Sequence, residues 1–158
     1  MSTLTIRVNG TPAPQGSKRG FVVKGRVVVA ESSPKVKPWR QDVAAAAVEA
    51  AAEAGWVAPA GPLAVSITFY LPRPRYHYRT GKHADELKPD AARWVDKKPD
   101  LDKLVRATCD ALTTAGVIRD DAQIAILSAT KTYTDEAVGA IVVIDRPPLV
   151  IITYTDRT

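Results

Sequence analysis

The stretch Lys98–Ile124, KPDLDKLVRATCDALTTAGVIRDDAQI, carries two features that decide how this chain is read. One is an amphipathic run. Leu101, Leu104, Val105, Thr108, Ala111, Leu112 and Ala115 recur at helical spacing, so residues 100–115 are expected as a helix. Pro99 disfavours helical backbone at Lys98, so the chain arrives extended with Asp100 at the N-cap position. Gly116 is placed to end the helix. The other feature is acid in two tight pairs, Asp100 with Asp102 and Asp120 with Asp121. Asp102, Arg106 and Asp110 also follow at four-residue intervals, on the side away from the leucines. Two accounts suit this acid. Asp100 can cap the helix and Asp102 complement its dipole, leaving the stripe as a surface ion-pair ladder. Alternatively, both pairs converge on one point. Capping needs only one carboxylate, and a second pair follows the helix after a short return. Spacing alone favours the first account.

The acid stands out because the chain is basic, with net charge +5 over 158 residues. Length and a 46% hydrophobic content suit one globular domain able to bury a core without cross-links. No run is long and apolar enough for a membrane span. The start, MSTLTIRVNG, lacks a basic then apolar leader pattern and reads instead as a strand, so a cytoplasmic location is expected. The single Cys109 falls inside the helical pattern and reads as a small core residue. With only His77 and His83 beside it, zinc is a poor fit, and any metal would be held by oxygen.

Outward from the acidic stretch, Leu4, Ile6 and Val8 alternate with polar residues, giving a strand over 3–9. TPAPQGSKRG (11–20) is a basic loop broken by Pro and Gly. FVVKGRVVVA (21–30) reads as a hairpin turning at Lys24-Gly25. A second basic loop spans 32–38. From about Pro38 an alanine-rich helix runs to Gly55. PLAVSITFYL (62–71) reads as a buried strand. IAILSATKTYT is expected as a strand with GAIVVIDR as its hairpin partner. Val117-Ile118 reads as a short strand, and LVIITYT as a last one.

Residues 73–97 form a long Pro-, charge- and aromatic-rich segment without period, expected as a mobile basic loop. Tyr76, His77 and Tyr78 lie among arginines there. Aromatic faces stack on bases while cations meet phosphates. Trp39 and Trp94 read as packing residues.

The string PDLDKL…R…DAL…AGVIRDDAQI over 99–124 resembles the signature of the RusA family of Holliday junction resolvases. The flanking layout of first strand, basic loop and helix bearing Trp39-Arg40 is similar too. The resemblance implies a single α+β domain over 1–158, with a mixed β-sheet, two main helices packed on it, and homodimeric assembly. It implies an endodeoxyribonuclease that resolves four-way DNA junctions by paired hydrolytic nicks with Mg²⁺, for which Mn²⁺ can substitute. Carried over position by position, the metal-binding and catalytic carboxylates are Asp100, Asp102 and Asp121. The catalytic basic residue is Arg106, where the family usually has Lys, and Lys103 stands where Asn is usual. An arginine can neutralise a phosphate but is no base near neutral pH. Lys18, Arg19, Arg73, Arg75, Arg79 and Lys103 are the expected DNA contacts. The alternative is a non-catalytic, structure-selective DNA-binding protein of the same fold. A protein with neither role accounts least well for the basic loops.

Overall fold

The structure is a computed structural model that describes residues 3–16, 19–30 and 33–148. Its centre is a four-stranded sheet made of β1 (Leu4–Asn9), β4 (Leu63–Pro72), β5 (Ile124–Thr134) and β6 (Gly139–Asp145), in the order β1-β6-β4-β5. Two helices, α1 (Val36–Ala54) and α2 (Leu101–Thr114), cover one face, and β2 (Arg19–Val23) pairs with β3 (Arg26–Ala30) as a separate ribbon. β4 and β5 are parallel and the other pairings antiparallel, so the domain is α+β with a mixed sheet, as expected.

Strand periodicity explains the layering. Ile6, Val142 and Ile67 lie opposite one another across three strands, as do Leu4, Ile144 and Val65. All six are buried, while Thr5 and Ser66, one residue along, are exposed. A slip of one residue in any strand would turn its apolar set to solvent, which is what holds this register.

α1 begins at Val36, with Pro38 in its first turn, and ends at Gly55 in the left-handed conformation. It buries Val36, Trp39, Val43 and Ala47, spaced to form one stripe. α2 buries Leu104, Thr108, Ala111 and Leu112 from the expected face, and also Ala107 and Cys109. Trp39 joins the two helices. Its indole N–H donates to Thr108 Oγ1 at 3.2 Å, and that hydroxyl donates to the Leu104 carbonyl at 2.9 Å. The Trp39 ring sits 6.4 Å from that of Phe69 on β4.

Several expectations are corrected. β5 and β6 are not hairpin partners: β6 inserts between β1 and β4, and β5 lies at the sheet edge. β6 alternates buried residues along its whole length and suits an interior position, whereas Ala125–Ser128 of β5 are all exposed. Val117 and Ile118 form no strand; they are buried in the turn after α2. Trp39 packs as expected, but Trp94 is 56% exposed. The Lys24-Gly25 hairpin is present, with positive φ at both residues as a type I′ turn requires. The expected strand LVIITYT lies outside the described residues.

Residues 73–97 contain two short 3₁₀ turns, Arg75–His77 and Gly81–His83. The end of this segment runs beside β5. Val95 N–H donates to the Lys131 carbonyl and Tyr133 N–H to the Arg93 carbonyl, which places Trp94 opposite Thr132. His77 is buried edge-on against Tyr76 and Tyr133.

Candidate active site

The two aspartate pairs divide their work. Asp120 is a cap. Its Oδ1 accepts from Ala122 N–H at 2.8 Å, opening the 3₁₀ turn Asp121–Gln123. Gln123 closes the capping box from the other side, its Oε1 accepting from the N–H groups of Arg119 (2.8 Å) and Asp120 (3.3 Å). The Gln123 amide donates to the carbonyls of Pro59 and Gly61, tying this turn to the approach to β4. Asp121 follows, with an exposed carboxylate that forms no hydrogen bond or ion pair among the described residues.

Asp100 occupies the N-cap position of α2 in extended backbone, and its carbonyl accepts from Leu104 N–H at 3.1 Å. Its carboxylate makes no cap hydrogen bond. The capping account of Asp100 therefore fails at the side chain, and that group is left exposed to solvent. Asp102, in the first turn, accepts a hydrogen bond from Lys103 Nζ at 2.6 Å, which holds its carboxyl below the usual carboxylate range. Arg106 is exposed and forms no ion pair among the described residues, so the expected ion-pair ladder is absent there.

Asp102, Arg106 and Asp121 line one cavity of about 840 Å³ between α2 and β5. The rest of its wall is apolar: Leu101, Val105 and Cys109 from α2, then Ile124, Leu127 and Ala129 from β5. The groove runs beside residues of β5 that α2 leaves uncovered. Leu127 pairs with Val65 and Ala129 with Ile67, so both share the buried register of β4, yet Leu127 is 50% exposed. Cys109 is mostly buried at the cavity wall. Burial first, then the charges of Asp121 and Asp110, push its thiol up to about 11. A thiol so disfavoured as thiolate is no nucleophile, in line with its reading as a core residue.

The donor set is oxygen only. Mg²⁺ is held by one or two carboxylates with waters and substrate phosphate, so Asp102 and Asp121 on one cavity fit that ion. Asp100 is not part of the cavity wall, and among the described residues no three acidic, histidine or cysteine side chains are grouped as a metal cage. The chemistry of this donor set suits a hard cation and a phosphate, with Arg106 as a positive charge on the same wall.

The expected DNA contacts separate. Lys18 lies outside the described residues, and Arg19 starts β2. The loop leading to them is docked on α2, Gln15 N–H donating to the Lys103 carbonyl at 3.1 Å. Arg73 is largely committed elsewhere: its guanidinium pairs with Asp135 at 3.1 Å, donates to the Ala92 carbonyl at 2.7 Å and lies over Tyr133. Arg79 pairs with Glu86, and Lys103 with Asp102. Arg75 is exposed over the Tyr78 ring, without an ion pair among the described residues.

Lys131 was not singled out by sequence reading. Its Nζ donates to the carbonyls of Lys97 (2.6 Å) and Pro99 (2.8 Å), fixing the backbone immediately before Asp100. The available signal was a lysine in the inward register of β5, following Leu127 and Ala129 by steps of two.

Gln123→Ala removes four hydrogen bonds at once and is expected to cost about 2 kcal/mol of stability, on a net worth near 0.5–1.5 kcal/mol per bond. Asp121→Asn, exposed and unpaired, should shift stability by under about 0.5 kcal/mol. Urea unfolding of both variants checks this division; equal losses would contradict it.

In comparison with known proteins, the family model described as Endodeoxyribonuclease RusA matches residues 9–145. No curated protein matches the chain.

Proposed function

Since the chain belongs to the RusA endodeoxyribonuclease family, we propose that it resolves four-way DNA junctions by paired hydrolytic nicks at the α2–β5 cavity. The observation that carries this reading is that Asp102, Arg106 and Asp121 line one cavity while capping work falls to Asp120. A carboxylate exposed at such a site, without a structural partner of its own, is available for chemistry.

Asp102 and Asp121 would hold Mg²⁺, or Mn²⁺ in its place; Asp100, outside the cavity wall, is the third carboxylate that the family resemblance assigns to the metal. Such an ion, when bound, supplies Lewis-acid stabilisation of phosphoryl oxygens and lowers the pKa of water. The protein's own contribution is positional. Arg106 offers a planar fork of donors to a non-bridging phosphate oxygen and neutralises charge that grows as the phosphorus is attacked. It moves no proton near neutral pH. The apolar wall of Leu101, Val105 and Leu127 lowers the local dielectric, which strengthens those charge interactions. Lys131 keeps Asp100 at the start of α2. Arg75, Lys18 and Arg19 lead the basic residues that contact phosphates away from the scissile bond.

Assembly as a homodimer belongs to this reading. Among the described residues, β5 from 124 to 130 pairs on one side only, with β4, and Ile126 and Leu127 stand 46% and 50% exposed. An edge bearing such residues is the kind of surface a second copy covers. A two-fold dimer would present two sites to opposed strands.

One observation favours the second reading, a structure-selective DNA-binding protein without cleavage. Lys103 Nζ already sits on the Asp102 carboxylate. An exposed pair of this kind is worth little and yields readily to a divalent ion. Incubation of the protein with a mobile four-way junction and with linear duplex, in Mg²⁺ and in EDTA, tests the proposal. Paired symmetric nicks in the junction alone, dependent on Mg²⁺, are expected. Junction binding without nicks in any divalent metal would establish the second reading instead. Sedimentation in the same buffer reports the dimer.

A further inference from the structure

The ribbon β2–β3 is left open on both faces. Antiparallel partners share a face, so Val22, Val27 and Val29 stand on one side, and Phe21, Val23 and Val28 on the other. All six are exposed, from 40% to 74%, and the first three are the more open set. Among the described residues the two strands pair only with each other. A two-stranded ribbon by itself is marginally stable in water, and a contiguous run of exposed apolar side chains marks a surface that something covers.

Charge selects the occupant. The charged residues of 19–30 are Arg19, Lys24 and Arg26, with no carboxylate among them. Lys24 and Arg26 are exposed and form no ion pair among the described residues. Lys24 sits in the turn at the tip, and Arg26 pairs with Val23, on the face away from Val22 and Val27. A second ribbon laid on this one would bring like charges together, whereas a polyanion meets the cations and leaves the valines an apolar contact. The root of the ribbon is tied to the start of α2. Ala13 and Gln15 are buried, and Gln15 N–H donates to the carbonyl of Lys103, the neighbour of Asp102. Arg19 follows four residues later, so the base of the ribbon lies within about 14 Å of Gln15 in whatever direction the chain leaves. Each strand has five residues and is about 17 Å long.

We propose that the β2–β3 ribbon lies in the major groove of a duplex arm of the bound junction, with Val22, Val27 and Val29 against thymine methyls and Lys24 and Arg26 against phosphates. The inference rests on the reading of this chain as one that holds branched DNA, and it names how a duplex arm is gripped. The major groove, about 12 Å wide, admits a two-stranded ribbon and displays the C5-methyl group of thymine on its floor. Valine has no hydrogen-bonding side-chain atom, so it gains from that methyl and from no other base edge. With the open valine face turned to the floor, Arg26 stands on the outward face, towards the phosphates that flank the groove. Such a grip tolerates many sequences and favours arms rich in A·T pairs.

Junction binding in EDTA, where no cleavage intervenes, tests it. A junction built with deoxyuridine in place of thymine lacks the methyls and keeps every phosphate. Wild-type protein should bind it more weakly, by about fourfold for each methyl that a valine covers. Methyl green, which occupies the major groove, should compete with the protein, and netropsin, which occupies the minor groove, should not. Two double variants divide the contacts, and the wild-type comparisons stand even if a variant fails to fold. Val22→Ser with Val27→Ser should bind thymine and uracil junctions alike. Lys24→Ala with Arg26→Ala should weaken binding to both, and its slope of log K against log salt should fall by about 2. Equal binding of wild type to the two junctions, displacement by netropsin alone, or an unchanged salt slope in the alanine variant would each overturn the proposal. So would serine substitutions that change sedimentation without DNA and leave DNA affinity intact, which would mean that a second copy covers the ribbon. Loss of binding to phosphatidylserine vesicles in both variants, with DNA affinity unchanged, would assign the ribbon to a membrane surface instead. Wild-type protein that nicks junctions with no response to uracil sinks the ribbon alone. Protein that binds junctions in the expected pattern and never nicks them sinks the cleavage reading and keeps the ribbon.

Discussion

Asp102→Asn is expected to lower junction cleavage by about 10³-fold while leaving the fold and junction binding in place. The side chain is exposed, and its one partner is the exposed Lys103, so little stability depends on its charge. Its value lies at the cavity, where it would hold a cation opposite Asp121. A metal's stabilisation of a phosphoryl transition state is worth several kcal/mol. Loss of about 4 kcal/mol corresponds to roughly 10³ in rate. Asp121→Asn should behave alike. The double variant should lose little more than either single one, because residues acting as a unit are not additive. Single-turnover cleavage in Mg²⁺, beside binding measured in EDTA, separates chemistry from affinity. A tenfold loss or less for Asp102→Asn would remove it from the metal site. Tighter binding by the Asn variant fits the same account, since a carboxylate that repels phosphate has gone.

Trp39→Ala is expected to cost about 3–5 kcal/mol, the range for truncating a large buried aromatic. Whole domains of this size are stable by roughly 5–15 kcal/mol, so this one change spends a large share. Trp39 is 1% exposed, packs against Phe69 and donates to Thr108. It is therefore the contact that sets α1 against α2 above the sheet. Trp39→Phe retains most of the volume, and the Thr108 hydroxyl keeps its bond to the Leu104 carbonyl. That variant should lose about 1–2 kcal/mol. Denaturant unfolding measures both. A loss under about 1.5 kcal/mol for the Ala variant would mean that the helix pair is held elsewhere.

Much of this was legible in sequence for a physical reason. Helix faces and strand alternation are local patterns, so α2 with its Gly116 terminus and the Lys24-Gly25 hairpin follow from residues close in the chain. The acidic string with its fixed internal spacing was enough to point to the family. Strand partnership was not legible. IAILSATKTYT and GAIVVIDR are adjacent in sequence and each carries strand propensity, yet β4 lies between them. Nothing within either segment records that a third strand, from residues 63–72, offers both of its edges.

The roles inside each Asp pair show the same boundary. Asp120 and Asp121 are the same residue type at adjacent positions, and sequence placed them together as acid. Hydrogen bonding separated them, giving Asp120 to Ala122 N–H and leaving Asp121 to the cavity. Sequence also left open what Arg73 touches and read Trp94 as packed, for one cause. A side chain's allegiance depends on what folds against it, here Asp135 and Ala92 for Arg73 and open solvent for Trp94. The sequence by itself determined the two helices, the described strands other than the one expected at Val117-Ile118, the family and the acidic string. The tertiary structure decided the strand order, which carboxylates lack a partner among the described residues, and which part of β5 the helix α2 leaves uncovered, because each of those depends on contacts between residues far apart in the chain.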